Sequence, residues 1–145
     1  METTGATAAG GLLAGGVMMM ALVLIGIMLL PMIFFCLTLS KALGKCAPQN
    51  REMAPGMVWL LFVPLLNIVW QFIVVIKMAG SLAKEFQARN LALDNPAPGK
   101  TIGLVMCIAG LCSVIPLVNF VAGPVAFICW IIYWVKIAGY SKQLV

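Results

Sequence analysis

Polar residues are confined to narrow bands along this chain. Between the bands stand four apolar stretches, at about 15–39, 54–76, 101–115 and 120–138. The second is long enough for a helix to cross a hydrocarbon core, which takes about 20 residues, and all four are candidate membrane segments. One polar band breaks the monotony. In GSLAKEFQARNLALDNPAPGK, Leu82, Phe86 and Leu93 fall on one helical side while Lys84, Glu85 and Arg89 lie towards the other, and the helix is read over 78–92. That periodicity predicts a short amphipathic helix lying on a membrane surface. Glu85 and Arg89 are spaced i,i+4 on it, and Asp94-Asn95-Pro96 ends it. The expected fold is therefore an all-α integral membrane protein with a single transmembrane domain over 1–145.

Two of the apolar stretches contain the same interruption. Val63-Pro64-Leu65-Leu66-Asn67 is matched by Ile115-Pro116-Leu117-Val118-Asn119. Each copy leads through apolar sequence to a K-x-A-G tail, at Lys77-Met78-Ala79-Gly80 and at Lys136-Ile137-Ala138-Gly139. In the second copy no other polar residue is available to reverse the chain, so Pro116 to Asn119 are expected to make a tight turn. Two shapes then follow for 54–76. A straight helix would be about 34 Å long and cross, giving four spans. If Pro64 and Asn67 also form a turn, the segment re-enters and leaves on the side it came from, giving three spans and one half-depth hairpin.

Charge bears on that choice. The formal net charge is +5, from nine Lys and Arg against four Asp and Glu. The cations fall only where apolar runs stop, which points to membrane topology and away from nucleic acid. With a re-entrant second segment, all nine lie on one side, with the C-terminus in the cytoplasm. With a crossing segment, Lys41, Lys45 and Arg51 are stranded opposite the other six. The N-terminal METTGATAAGG lacks a basic region, so segment one is expected to be retained as an anchor.

At Trp59-xxxx-Pro64-xx-Asn67 followed by K-x-A-G, the chain resembles uncharacterised small multi-pass bacterial membrane proteins in which such segments recur. The stretch NREMAPGMVWLLFVPLLNIVWQFIVV carries most of the likeness, which covers about half the chain. The resemblance implies a bacterial inner membrane. It brings no activity, cofactor or catalytic residue with it.

Composition agrees and narrows the chemistry. Residues are 63% hydrophobic and 9% charged, with a mean hydropathy of +1.12. There is no histidine, and the five cysteines show no CxxC spacing, so no metal or cofactor site is expected. Only Cys46 is expected to meet water. Glu2, Glu52, Glu85 and Asp94 lie in terminal or loop-like sequence, leaving no ionisable residue at depth and no general acid or base. Catalysis is not expected. Small residues at close-packing spacings, Gly11/Gly15, Gly103/Cys107 and Ala122/Ala126, point to helix–helix contacts. Trp59, Lys77, Trp130, Tyr133, Trp134 and Lys136 are expected to anchor the chain at the membrane interface. Asn67 and Gln71, one helical turn apart, are the candidate polar path. The expected partners are the bilayer and either other integral membrane proteins or further copies of this chain. The function these features favour is an accessory, scaffold or assembly subunit. The alternative is a small oligomeric channel or transporter built around Pro64–Asn67.

Overall fold

The computed structural model describes residues 3–144, with side chains from Gly10 onward. Its elements, in order, are helix α1 (Thr3–Lys45), a 3₁₀ helix (Pro55–Phe62), α2 (Pro64–Ala88), α3 (Lys100–Cys112) and α4 (Pro116–Gln143). No strand occurs among the described residues. α1, α2 and α4 are each long and apolar enough to cross a membrane, while α3 is a shorter apolar helix. The chain divides into two compact units, Met1–Phe35 and Cys36–Val145.

The first unit is helical through its described length and continues past Pro31. Its large apolar side chains face outward, among them Leu12 at 78% and Met28 at 77% exposure. Such a surface is stable only where water is excluded.

The second unit is built from two helical hairpins that share one construction. Val63 precedes α2 with φ −83° and ψ 110°, and Ile115 precedes α4 with φ −83° and ψ 117°. Both are extended because a following proline disfavours the helical region. The proline then occupies the first helical turn, where its missing N–H costs nothing. Asn67 N–H donates to the Val63 carbonyl at 2.8 Å, and Asn119 N–H to the Ile115 carbonyl at 2.8 Å. The repeated motif is thus a helix start. The chain reversal expected at Pro116–Asn119 lies just upstream, at residues 113–115.

In the first hairpin the 3₁₀ arm runs antiparallel to α2. Trp70 Nε1 donates to the Met57 carbonyl at 2.8 Å across it. A 3₁₀ helix rises about 2 Å per residue, so the eight-residue arm reaches about 16 Å and matches a longer stretch of α-helix. Segment 54–76 is therefore not one straight helix. The 3₁₀ arm and α2 meet at Val63-Pro64, and Pro64 to Asn67, expected as the turn of a re-entrant segment, begin α2 instead.

The separate surface helix expected at 78–92 is also not formed. Residues 64–88 make one continuous helix, and Leu82 and Phe86 are fully buried against protein. Nothing between Ile76 and Met78 breaks a helix, since a change in face polarity does not interrupt the backbone ladder. The helix stops at Asn90, whose φ of 54° is left-handed. There the Leu91 N–H donates to the Phe86 carbonyl and the Asn90 N–H to that of Gln87. Those two bonds satisfy carbonyls that a helix end leaves open.

The core lies at the end of this unit where α1, α2 and α4 finish. Leu39, Leu43, Met78, Leu82 and Ile137 are all at 0% exposure there. Tyr133 is buried too, lying over Gly99 and Gly103, and a Cβ at Gly103 would overlap both Val75 and the Tyr133 ring. Gly103→Val is expected to cost about 1–3 kcal/mol by overpacking. Gly110, with nothing within 4 Å of an added Cβ, should accept alanine with little change. Thermal unfolding in detergent compares the two.

Candidate functional site

Beyond the apolar stretches, polar groups converge around one carboxylate. α2 continues past its apolar half and carries Glu85 to the loop that follows α1. Glu85 is 2% exposed. Its Oε2 accepts the Ala47 N–H at 2.8 Å and the Asn50 Nδ2 at 2.9 Å, and its Oε1 accepts the Arg89 Nε at 2.7 Å. Burial alone would raise the carboxyl pKa. The hydrogen bonds from Asn50, Ala47 and Arg89, with the Arg89 charge, outweigh that and hold it below the ordinary value of 4.5.

The same arginines finish α1. Arg89 Nη2 donates to the Lys45 carbonyl at 3.1 Å, and Arg51 Nη2 to the Cys46 carbonyl at 2.9 Å. Cations are favoured at a helix C-terminus, where carbonyls lack intrahelical partners. One turn earlier on α2, Ser81 Oγ accepts the Glu52 N–H at 2.9 Å and donates to the Lys77 carbonyl at 2.8 Å. Glu52 pairs with Lys84 at 2.9 Å, its carboxylate seated over Gly80. Lys45 Nζ donates to the Ser141 carbonyl at 2.6 Å, joining α4 to the cluster. Ala47, Asn50 and Glu52 of loop 46–53 are thus tied to α2. The arrangement holds backbone.

Several sequence expectations change at this site. Glu85 belongs to a helix interior and not to a solvated face, while Glu2 lies outside the described residues. Cys46 is 1% exposed. Burial, with the nearby Glu85 charge, pushes its thiol up to about 11, so it stays protonated and unreactive. Among the described residues no three His, Cys, Asp or Glu side chains come together as a metal site.

The remaining expected residues scatter. Pro64 and Pro116 stand exposed at the hairpin tips, beside Leu65 at 92% and Leu117 at 89% exposure. Asn67 and Gln71 are half-buried in the first turns of α2, and Asn119 is exposed on α4 with its Oδ1 over Gly123. Gly103 and Ala122 are buried and Ala126 half-buried, whereas Gly11 and Gly15 are exposed with nothing within 4 Å of an added Cβ. Ala122 also lines an apolar groove of about 360 Å³ between α3 and α4, with Val105, Ile108, Val118 and Val125.

The expected aromatic belt is divided. Trp59 is exposed and stacks on Phe62 with ring centroids 5.7 Å apart. Trp130 and Trp134 are half-buried, 5.2 Å apart, and Trp134 Nε1 donates to Thr38 Oγ1 at 2.9 Å. Tyr133 faces inward because two glycines of the α3 start leave room for its ring. Lys136 is exposed and Lys77 half-buried.

Glu85 generates the sharpest stability test. Glu85→Ala leaves three donors without their acceptor and is expected to cost about 2–4 kcal/mol. Limited proteolysis should then cut within 46–53. Because the folded carboxyl is held below 4.5, its contribution is complete above that value and is lost as pH falls beneath it. Melting temperature should accordingly drop less on acidification in Glu85→Gln than in the wild type. Comparison of the chain with protein-family profiles, with curated proteins and with solved structures finds no match in any of the three.

Proposed function

We propose that this chain is a membrane-embedded scaffold or accessory subunit that works through helix–helix contacts. In this reading it is a multi-pass protein of a bacterial inner membrane. α1, α3 and α4 cross, and the hairpin of the 3₁₀ arm and α2 enters only partway. The loop 46–53, the end of α2 and the C-terminus then share the cytoplasmic side, together with all nine basic residues, as the positive-inside rule favours.

The observation that carries the reading is the surface of α1. From Leu12 to Leu30 its large apolar side chains are exposed, and Gly11 and Gly15 have open space where a Cβ would stand. Small residues at this spacing let a second helix backbone approach closely, which is how helices associate when lipid removes the hydrophobic incentive. In the second unit the comparable residue, Gly103, is already filled by Val75 and Tyr133. α1 offers the same geometry to another chain.

Cross-linking followed by native mass measurement tests this. A stoichiometric assembly is expected from mild extraction, weakened by Gly11→Leu with Gly15→Leu, and a protein that is monomeric throughout would end the reading. Gln49 and Gln87 are both exposed. As single cysteines in a Cys-free background, both are expected to label from one membrane side.

One observation favours a second reading. Ten residues separate Asn67 from Lys77, so Asn67 would sit about 15 Å below the interface, half the depth of the hydrocarbon core. Irregular backbone at that depth must be covered by protein or meet water. An oligomer surrounding these tips would form a channel, with Asn67 and Gln71 as its polar lining. A symmetric oligomer with ion flux abolished by Asn67→Leu would replace the scaffold reading.

A further inference from the structure

Four lysines occupy one level of the second unit, each on a different helix. α2, α3 and α4 meet where Gly103 faces Val75 and Tyr133. From that contact Lys77 lies two residues onward along α2, Lys100 three residues back along α3, and Lys136 three residues onward along α4. α3 runs opposite to the other two, so all three steps point the same way, by about 3–5 Å. The Trp134–Thr38 hydrogen bond brings α1 to the same height. Lys41 is three residues beyond Thr38, a step of about 4.5 Å in that same direction.

The level is also a boundary. Residues 54–76 and 101–135 contain no charged residue, and neither do residues 10–40 of α1. Immediately on that side Ile76, Ile132 and Val135 are exposed. On the other side stands the polar cluster, whose carboxylates are already engaged, Glu52 by Lys84 and Glu85 by Arg89. Neither ion pair among the described residues includes any of the four lysines, of which Lys41 and Lys136 are exposed and Lys77 and Lys100 half-buried. A ring of cations at the edge of an apolar belt complements a plane of anions at the edge of a hydrocarbon layer.

We infer that Lys41, Lys77, Lys100 and Lys136 form a collar that binds the phosphate headgroups of anionic phospholipids. The inference rests on the membrane placement proposed above and adds the lipid class. Lysine suits the task because its stem runs along apolar surface while the ammonium reaches the phosphate. Each such contact near an anionic leaflet adds independently to the attraction.

The test uses the full-length protein in micelles containing equal phosphatidylglycerol and phosphatidylcholine, read by native mass spectrometry. The wild type is expected to retain phosphatidylglycerol over phosphatidylcholine by about tenfold, and Lys142→Gln, beyond the collar, to behave the same. Replacing all four collar lysines by glutamine is expected to bring the ratio near one, and replacing them by arginine to preserve it. Should the glutamine set fail to insert, the four single Gln variants are each expected to lower the ratio by about twofold. Equal retention of both lipids by the wild type overturns the collar, as does a preference that survives the glutamine changes. Displacement of the lipid by millimolar inorganic phosphate would also overturn it, by revealing a site for a soluble anion. The same spectra report assembly mass, so loss of lipid preference and loss of helix-mediated assembly are read separately.

Discussion

The buried carboxylate of Glu85 is the contact on which the second unit depends. It stands at 2% exposure and draws together the Ala47 N–H, the Asn50 amide and the Arg89 guanidinium. Arg89 in turn reaches the Lys45 carbonyl at the end of α1. One side chain of α2 thereby ties down the end of α1 and the loop that leads from it to the 3₁₀ arm at Pro55. A charge this deep is tolerable only because it is paired and each oxygen has donors. That requirement makes the cluster specific, since no apolar group could organise the same three partners.

Once the loop is anchored, the 3₁₀ arm has little freedom. Ser40 Oγ donates to the Pro55 carbonyl at 2.8 Å, fixing the start of the arm against α1. Trp70 holds its middle, and Pro64 ends it by forcing Val63 out of the helical region. The second hairpin uses the same proline device but replaces the 3₁₀ arm with α3. That substitution lets α4 run 28 residues from Pro116 to Gln143. Two copies of one motif thus give hairpins of different reach, because the arm beside each helix differs. The collar of lysines, one from each helix, lies where the hairpins and α1 come level.

Several features were legible along the chain. The apolar bands and their limits follow from composition within a few residues, and so does the equivalence of Pro64 with Pro116, since proline acts on its immediate neighbours. That 54–76 need not be one straight helix was visible through the repeat, although Pro64 to Asn67 prove to be a helix start and not the expected turn. Other features left no local trace. Glu85 and Arg89 read as a solvated i,i+4 pair, because nothing near them in sequence announces Ala47 and Asn50. Tyr133 reads as part of a Trp-Tyr belt, because the glycines that admit its ring are about thirty residues away. Cys46 reads as exposed, because its neighbours are polar.

The sequence by itself determined that the chain is helical and apolar, where its polar bands fall, and where prolines restart helices. These depend on transfer energies and backbone sterics that each residue carries with it. Only the tertiary structure decided that α2 runs unbroken through Lys77, that its polar half packs inside, and that four lysines share one level. Those outcomes depend on which distant donors reach Glu85 and which glycines leave space for Val75 and Tyr133. Long-range complementarity of that kind is a property of the assembled helices, and no single stretch of the chain contains it.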